Sequence, residues 1–315
     1  MTLQSDSGKA SAPSGAIGTA QDASARKPLP GRVRRRRLWF GLLTLFNFAR
    51  RGFFIPYRYA ASLPDAGERH TYSALETLFE KHRPAFTAFL ASMAPFKADF
   101  ERIGPDAPPQ PRWRQSWFPR LDAATAYSLV RNLAPKRIIE VGSGHSTRFV
   151  ARAIADAGLD TRVTAIDPAP RADLGSLPVH LIKKTLHEAG TEVFAELEDG
   201  DFLMIDSSHI LMPGSDVDVL FGRVLPALPA GVLVQIHDVF LPDDYPASWD
   251  WRGYNEQLGV IPLLGSGGWE LIFASHFAVS RMAQEVASSA VGALELPNEA
   301  IESAVWLRKT CPAID

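Results

Sequence analysis

Residues 137–167 read RIIEVGSGHSTRFVARAIADAGLDTRVTAID. A short branched run ends at Glu140, Gly142 and Gly144 punctuate a turn, an alanine-rich helical stretch follows, and a second branched run closes on Asp167. This order predicts a β-turn-α-β unit with a crevice suited to a nucleotide-like ligand. The glycines let the backbone pass close to that ligand and the helix N-terminus presents free amides, while a carboxylate at the second strand's tip suits ribose hydroxyls. The alternative is a purely structural turn, and two glycines alone leave both readings open.

The turn does not meet the phosphate-binding signatures. A pyrophosphate fingerprint wants a third small residue where this chain has Thr147, and a phosphate-cradling loop wants Gly-Lys-Ser or Gly-Lys-Thr. Asp167 would repel phosphate and suits a sugar diol.

Glu140-Val141-Gly142-Ser143-Gly144-His145-Ser146 resembles the first motif of class I S-adenosylmethionine-dependent methyltransferases, and Asp167 stands where their ribose-binding acid does. The stretches DFLMIDSSH (201–209) and GVLVQIHDVFLPDDYP (231–246) resemble the fourth and fifth strand ends in a bacterial branch of that superfamily containing small-molecule O-methyltransferases. The resemblance spans roughly residues 115–280. It implies an α/β fold with a Rossmann-like methyltransferase sheet, mostly parallel with a final antiparallel strand, preceded by N-terminal helical additions. It also implies an S-adenosylmethionine site at Glu140, Gly142, Ser143, Gly144, His145 and Asp167. Glu140 would orient the cofactor's amino acid portion, and His145 would meet its carboxylate or the substrate.

The apolar runs 202–205 and 232–236 read as parallel strands covered on both faces, ending in Asp206-Ser207-Ser208-His209 and His237-Asp238. Polar residues at parallel strand C-termini share the rim of the glycine turn. Two carboxylates with histidines there fit a divalent metal site, Mg²⁺ or another ion, with Asp206 and Asp238 as ligands. Each aspartate has a plainer alternative, Asp206 as a helix cap and Asp238 as a loop anchor. The resemblance implies that His209 is the base. Catechol-type enzymes of the fold carry Asp-Asn where this chain has His237-Asp238, and Ser207 or Ser208 replaces a frequent glycine. These departures leave His209 as an orienter of Asp206 in a metal-free site as the other reading. The aromatic, acidic stretch 240–257 offers Tyr245, Trp249, Trp251 and Tyr254 as acceptor-binding candidates, with His237 beside them.

The rest of the chain frames this unit. At 315 residues it accommodates a Rossmann-like domain of about 180 residues plus helical additions. A net charge of -2 calls for no nucleic acid, and the single Cys311 forms no intrachain disulfide and is compatible with a reducing cytoplasm. Residues 1–30 read as a disordered tail, 31–111 as a basic and apolar segment with accessory helices, 112–280 as the methyltransferase-like domain, and 281–315 as a helix and tail. Asp122 reads as the cap of the helix preceding the first strand, and residues 259–264 and 269–274 as a terminal hairpin.

Arg32 and Arg34 to Arg37 precede LWFGLLTLFNFA, which Arg50 and Arg51 follow. The apolar residues are too few to span a bilayer, which takes about 20. Peripheral contact with the inner face of an anionic membrane is one expectation, and packing on the domain or on a second copy in a homo-oligomer is the other.

The leading expectation is metal-assisted methyl transfer from S-adenosylmethionine to an oxygen of a small molecule or glycan precursor. Its rivals are metal-independent methyl transfer and a noncatalytic, cofactor-binding protein attached to a membrane or complex.

Overall fold

In the computed structural model, residues 31–104 and 106–314 are described. The tail expected at residues 1–30 lies outside them. The chain divides into two units, Met1–Gly67 and Glu68–Asp315.

The first unit holds helix α1 (Gly31–Leu45), which buries no residue. Its arginines and its apolar residues follow one another along the axis instead of taking opposite faces, so no apolar stripe forms to seat against a core. Asn47, at φ +57°, turns the chain after α1. Thr44 Oγ1 secures the turn by accepting the Arg51 amide at 3.0 Å.

The second unit begins with helix α2 (Ser73–Ser92), whose Leu75, Phe79, Phe86 and Leu90 recur at helical spacing and are buried. The helix runs through Pro84 without ending. A short helix α3 (Lys97–Arg102) follows, and then α4 (Arg120–Leu133), buried along most of its length. Between them, Trp113 donates its indole N–H to the Phe100 carbonyl at 3.0 Å, anchoring the proline-rich connection to the helices.

The sheet then forms from β1 (Arg137–Val141), β2 (Arg162–Ile166), β3 (Val179–Ile182), β4 (Phe202–Ile205), β5 (Leu233–Ile236), β6 (Trp269–Ala274) and β7 (Val305–Lys309). Its order is β3-β2-β1-β4-β5-β7-β6. The first five strands pair in parallel, and β7 runs antiparallel to both β5 and β6. β4 and β5 are buried at every position, as their unbroken apolar runs require. Helix α5 (His145–Ala157) follows the glycine turn and packs beside α4. Phe86 and Phe89 of α2 close on Phe273 of β6, with ring centroids 5.3 and 4.9 Å away.

Two sequence expectations fail. Residues 259–264 are not a strand but part of a helix, Gln257–Gly265, so β6 takes its antiparallel partner from residues 305–309. QLGVIPLLG is apolar almost throughout, and such a run has no period to separate strand from helix. Gly259 also admits Phe221, whose ring lies 2.8 Å from where a Cβ would sit. The second correction concerns Asp122, which does not cap α4. It is fully buried inside the helix and accepts the Ser303 and Ala304 amides, each at 3.0 Å, at the entry to β7.

Candidate functional site

The sheet register assembles the site. Val141 pairs with Ile166 and Ile205, and Ile205 pairs with Ile236, so the next residues along the strands, Gly142, Asp167, Asp206 and His237, emerge on one rim. Beside them lies a cavity of about 470 Å³, lined by Gly142, Asp167, Arg171, Thr185, His187 and Asp206 among others. That volume falls within the range of small-molecule sites.

Glycine is obligatory at 142. Its φ is +82°, and a Cβ there would lie 1.9 Å from the Asp206 carbonyl oxygen. Asp167 accepts the Ser143 amide at 2.7 Å, its hydroxyl at 3.2 Å and the Ala169 amide at 2.7 Å. The carboxylate therefore holds the glycine turn open while lining the cavity, with acceptor capacity left for a diol.

Glu140 and His145 sit behind this wall. Glu140 is buried and accepts hydrogen bonds from the Ser146 and Thr147 hydroxyls, while Thr147 also accepts the Gly144 amide at 3.0 Å. Burial pushes its carboxyl up to about 7, against the opposing pull of those hydroxyls. It clips strand, turn and helix together. His145 is buried, stacks on Trp117 with ring centroids 5.4 Å apart, and leaves Nδ1 without a partner. Burial, with Arg148 and Arg112 nearby, pulls its imidazole down to about 4. The aromatic run before α4 thus covers the N-terminus of α5.

Next to the cavity stands an acid and imidazole cluster. Asp206, His209 and Asp238 together present one ligand atom each within 4.8 Å of one another. His209 Nε2 lies 3.2 Å from Asp206 and 3.4 Å from Asp238, and its Nδ1 lies 2.8 Å from the buried Glu256. His237 Nδ1 lies 3.6 Å from Asp206 and 3.4 Å from Asp238, while its Nε2 meets Asp122 at 3.2 Å. His209 and Asp238 both adopt left-handed backbone, at φ +61° and +56°, conformations that persist where surrounding contacts enforce them. The His209 carbonyl supplies such contacts by accepting the Asn255 and Glu256 amides.

Burial disfavours charge on both imidazoles, yet the surrounding carboxylates prevail and hold both pKa values well above the ordinary range. Burial likewise opposes ionisation of Asp206, but His237 and His209 hold it far below the usual carboxylate value. The donor set suits a divalent cation: carboxylates and ring nitrogens converge, and the ion pairs they make among the described residues are with one another, not with Lys or Arg.

The aromatic loop is packed largely on itself. Tyr254 lies over His209 with centroids 4.6 Å apart, and Arg252 covers the Trp249 ring at 3.9 Å. Tyr245 is buried, and its hydroxyl accepts the Gln257 amide at 3.2 Å. Trp251 is exposed. Of these aromatics, Tyr254 is the one set against the cluster. Sequence reasoning missed Glu256, a loop acid 47 positions beyond its partner, and the inward role of Asp122.

A family profile described as a methyltransferase domain matches residues 139–239, which run from β1 through the end of β5. With that match and the strand order together, the architecture is settled. The fold is that of a class I S-adenosylmethionine-dependent methyltransferase. Among solved structures, an O-methyltransferase from Bacillus cereus in complex with SAH is 14% identical over 71% of this chain and 91% of its own, with a TM-score of 0.39. The O-methyltransferase TomG from Streptomyces achromogenes, involved in tomaymycin synthesis and solved with SAM, is 15% identical over 71% and 90%, with a TM-score of 0.38. The SAH-bound methyltransferase PaMTH1 from Podospora anserina is 15% identical over 82% and 100%, with a TM-score of 0.36. A search of curated proteins found no match. Gly142 and Asp167 line the cavity at the sheet's rim, and the acid and imidazole cluster adjoins them through Asp206.

Proposed function

We propose that this protein transfers the methyl group of S-adenosylmethionine to an oxygen of a small molecule or glycan precursor, at a site that also holds a divalent metal. The observation carrying this reading is the double position of Asp206, which lines the cavity beside Gly142 and belongs to the metal-ligand cluster. Cofactor and ion thus share one wall.

In this reading the Gly142–Gly144 turn admits the cofactor and Asp167 accepts its ribose hydroxyls. Methyl sulfonium chemistry supplies the electrophile, so the chain's main tasks are alignment and proton removal. Asp206, His209 and Asp238 would hold the metal, which when bound would lower the pKa of an acceptor hydroxyl. His209, tied at Nδ1 to Glu256 and aimed at both aspartates, would serve as a ligand in this arrangement; without a metal its charged imidazole would orient Asp206. Tyr254 and the neighbouring loop bound the acceptor's side.

The test is calorimetric titration of the metal-depleted full chain with S-adenosylmethionine, followed by an acceptor screen with and without divalent ions. Methyl transfer that depends on the ion and vanishes in Asp238→Asn supports the metal-assisted reading. Transfer indifferent to ions but lost in His209→Gln supports the metal-independent one.

The first unit's partner is an anionic membrane surface. Arg32, Arg34 to Arg37, Arg50, Arg51 and Arg58 occur with no Asp or Glu between residues 31 and 63, and Trp39, Phe46, Phe48 and Phe54 are exposed. Cations with interfacial aromatics suit headgroups and the acyl boundary. Among the described residues no helix is long and apolar enough to cross a membrane.

A further inference from the structure

His237 faces the same two aspartates as His209. Its Nδ1 lies 3.4 Å from Asp238 and 3.6 Å from Asp206, close to the 3.2 and 3.4 Å by which His209 Nε2 approaches them. Ligands about 2.1 Å from one ion stand roughly 3.0 Å apart at right angles and about 3.4 Å apart at tetrahedral angles. Each imidazole's distances to the aspartates match that spacing; the donors that already lie within 4.8 Å of one another are those of Asp206, His209 and Asp238, so His237 must move toward them to complete the set.

The far nitrogens repeat the pattern. His209 Nδ1 meets Glu256 at 2.8 Å and His237 Nε2 meets Asp122 at 3.2 Å, and both acids are fully buried. A carboxylate behind a ring N–H fixes the tautomer and turns the other nitrogen's lone pair toward a metal. Asp122 is held in turn by the amides of Ser303 and Ala304, and Ser303 donates its hydroxyl to Asp238 at 3.2 Å. Two imidazoles, each backed by its own carboxylate, therefore converge on one pair of aspartates.

We propose that the metal centre is a two-histidine, two-carboxylate site, with His237 as its fourth ligand and Glu256 and Asp122 as positioning residues, and that it takes a transition ion such as Mn²⁺, Fe²⁺ or Zn²⁺ in preference to Mg²⁺. Imidazole suits these ions, whereas Mg²⁺ keeps to oxygen ligands and retains its waters. The inference rests on the cluster being a metal site and not on methyl transfer.

The experiment uses the full chain stripped of metal. Calorimetry compares Mn²⁺, Zn²⁺ and Mg²⁺, and pulsed EPR of the Mn²⁺-loaded protein counts coordinated imidazole nitrogens. The expected result is one ion per chain, Mn²⁺ and Zn²⁺ binding on the order of 100-fold more tightly than Mg²⁺. Two nitrogen couplings are expected in the wild type and one in His237→Asn. Mg²⁺ binding as tightly as Mn²⁺, or a wild-type spectrum with fewer than two nitrogens, overturns the proposal, and the wild-type spectrum decides even where the variant does not fold. S-adenosylmethionine titrated in parallel keeps the two readings apart. Cofactor binding without the two-nitrogen centre sinks this inference alone, while the centre without cofactor binding sinks the methyltransferase reading alone.

Discussion

Glu256 accepts the His209 Nδ1–H at 2.8 Å with both side chains buried, and this contact fixes which face His209 turns to Asp206 and Asp238. Removing a carboxylate behind a ligating histidine typically costs 10- to 100-fold in metal affinity, about that much being expected for Glu256→Ala. Glu256→Gln keeps an acceptor oxygen at the same place and should recover much of the loss. Calorimetry with Mn²⁺ reads both; equal affinity in wild type and Glu256→Ala would show that Glu256 does not position the ligand.

Gly142→Ala places a Cβ 1.9 Å from the Asp206 carbonyl on a backbone with φ +82°. Strain and overlap together should cost about 3 kcal/mol of stability and displace β4's tip, removing cofactor binding. Chemical denaturation and cofactor titration check this. A variant of wild-type stability with intact binding would mean that the turn is looser than the close approach indicates.

How much of the fold and site is legible in sequence varies with the range of the contacts involved. The buried parallel strands ending in Asp206 and His237 are readable because an unbroken apolar run that stops at polar residues fits a strand covered on both faces and its rim. Asp122 misleads because a carboxylate near a helix start is ordinarily a cap, and its partners Ser303 and Ala304 lie some 180 positions away. Glu256 carries no signal, since its role exists only once residues 209 and 256 meet. The helix at 257–265 is hidden by its uniform hydrophobicity, and only the β6 and β7 pairing reveals it.

The buried pair behind the glycine turn makes opposite contributions to stability as pH changes. Glu140 is raised from 4.5 to about 7, so its contribution is present below pH 4.5 and is lost as pH rises through 7. His145 is lowered from 6.5 to about 4, so its contribution is present above pH 6.5 and is lost as pH falls through 4. Each has a limiting slope of about 1.4 kcal/mol per pH unit, and the two largely cancel in wild type. Relative to wild type, Glu140→Gln should lose stability more steeply on acidification from pH 6.5 to 4.5, and His145→Gln should lose less or gain. Urea denaturation across that window reads the slopes, and two variants parallel to wild type would contradict the assignment.

Membrane contact by residues 31–63 predicts cosedimentation with vesicles containing phosphatidylserine and not with neutral vesicles. Each arginine near the surface contributes about 1 kcal/mol, so reversing charge at Arg34, Arg35, Arg36 and Arg37 to Glu should weaken binding by more than about 100-fold. Raised salt should weaken it too. Equal sedimentation with neutral and anionic vesicles would remove the electrostatic basis of the contact.

The crevice between Gly142 and Asp167 as the seat of S-adenosylmethionine is tested most directly by calorimetric titration of the full chain with that cofactor, beside Asp167→Asn and Asp167→Ala variants shown by circular dichroism to be folded. Saturable binding at one site per chain is predicted in wild type, with weaker binding in Asp167→Asn and none in Asp167→Ala. A folded wild-type protein that releases no heat and shows no binding by an independent equilibrium method would contradict it.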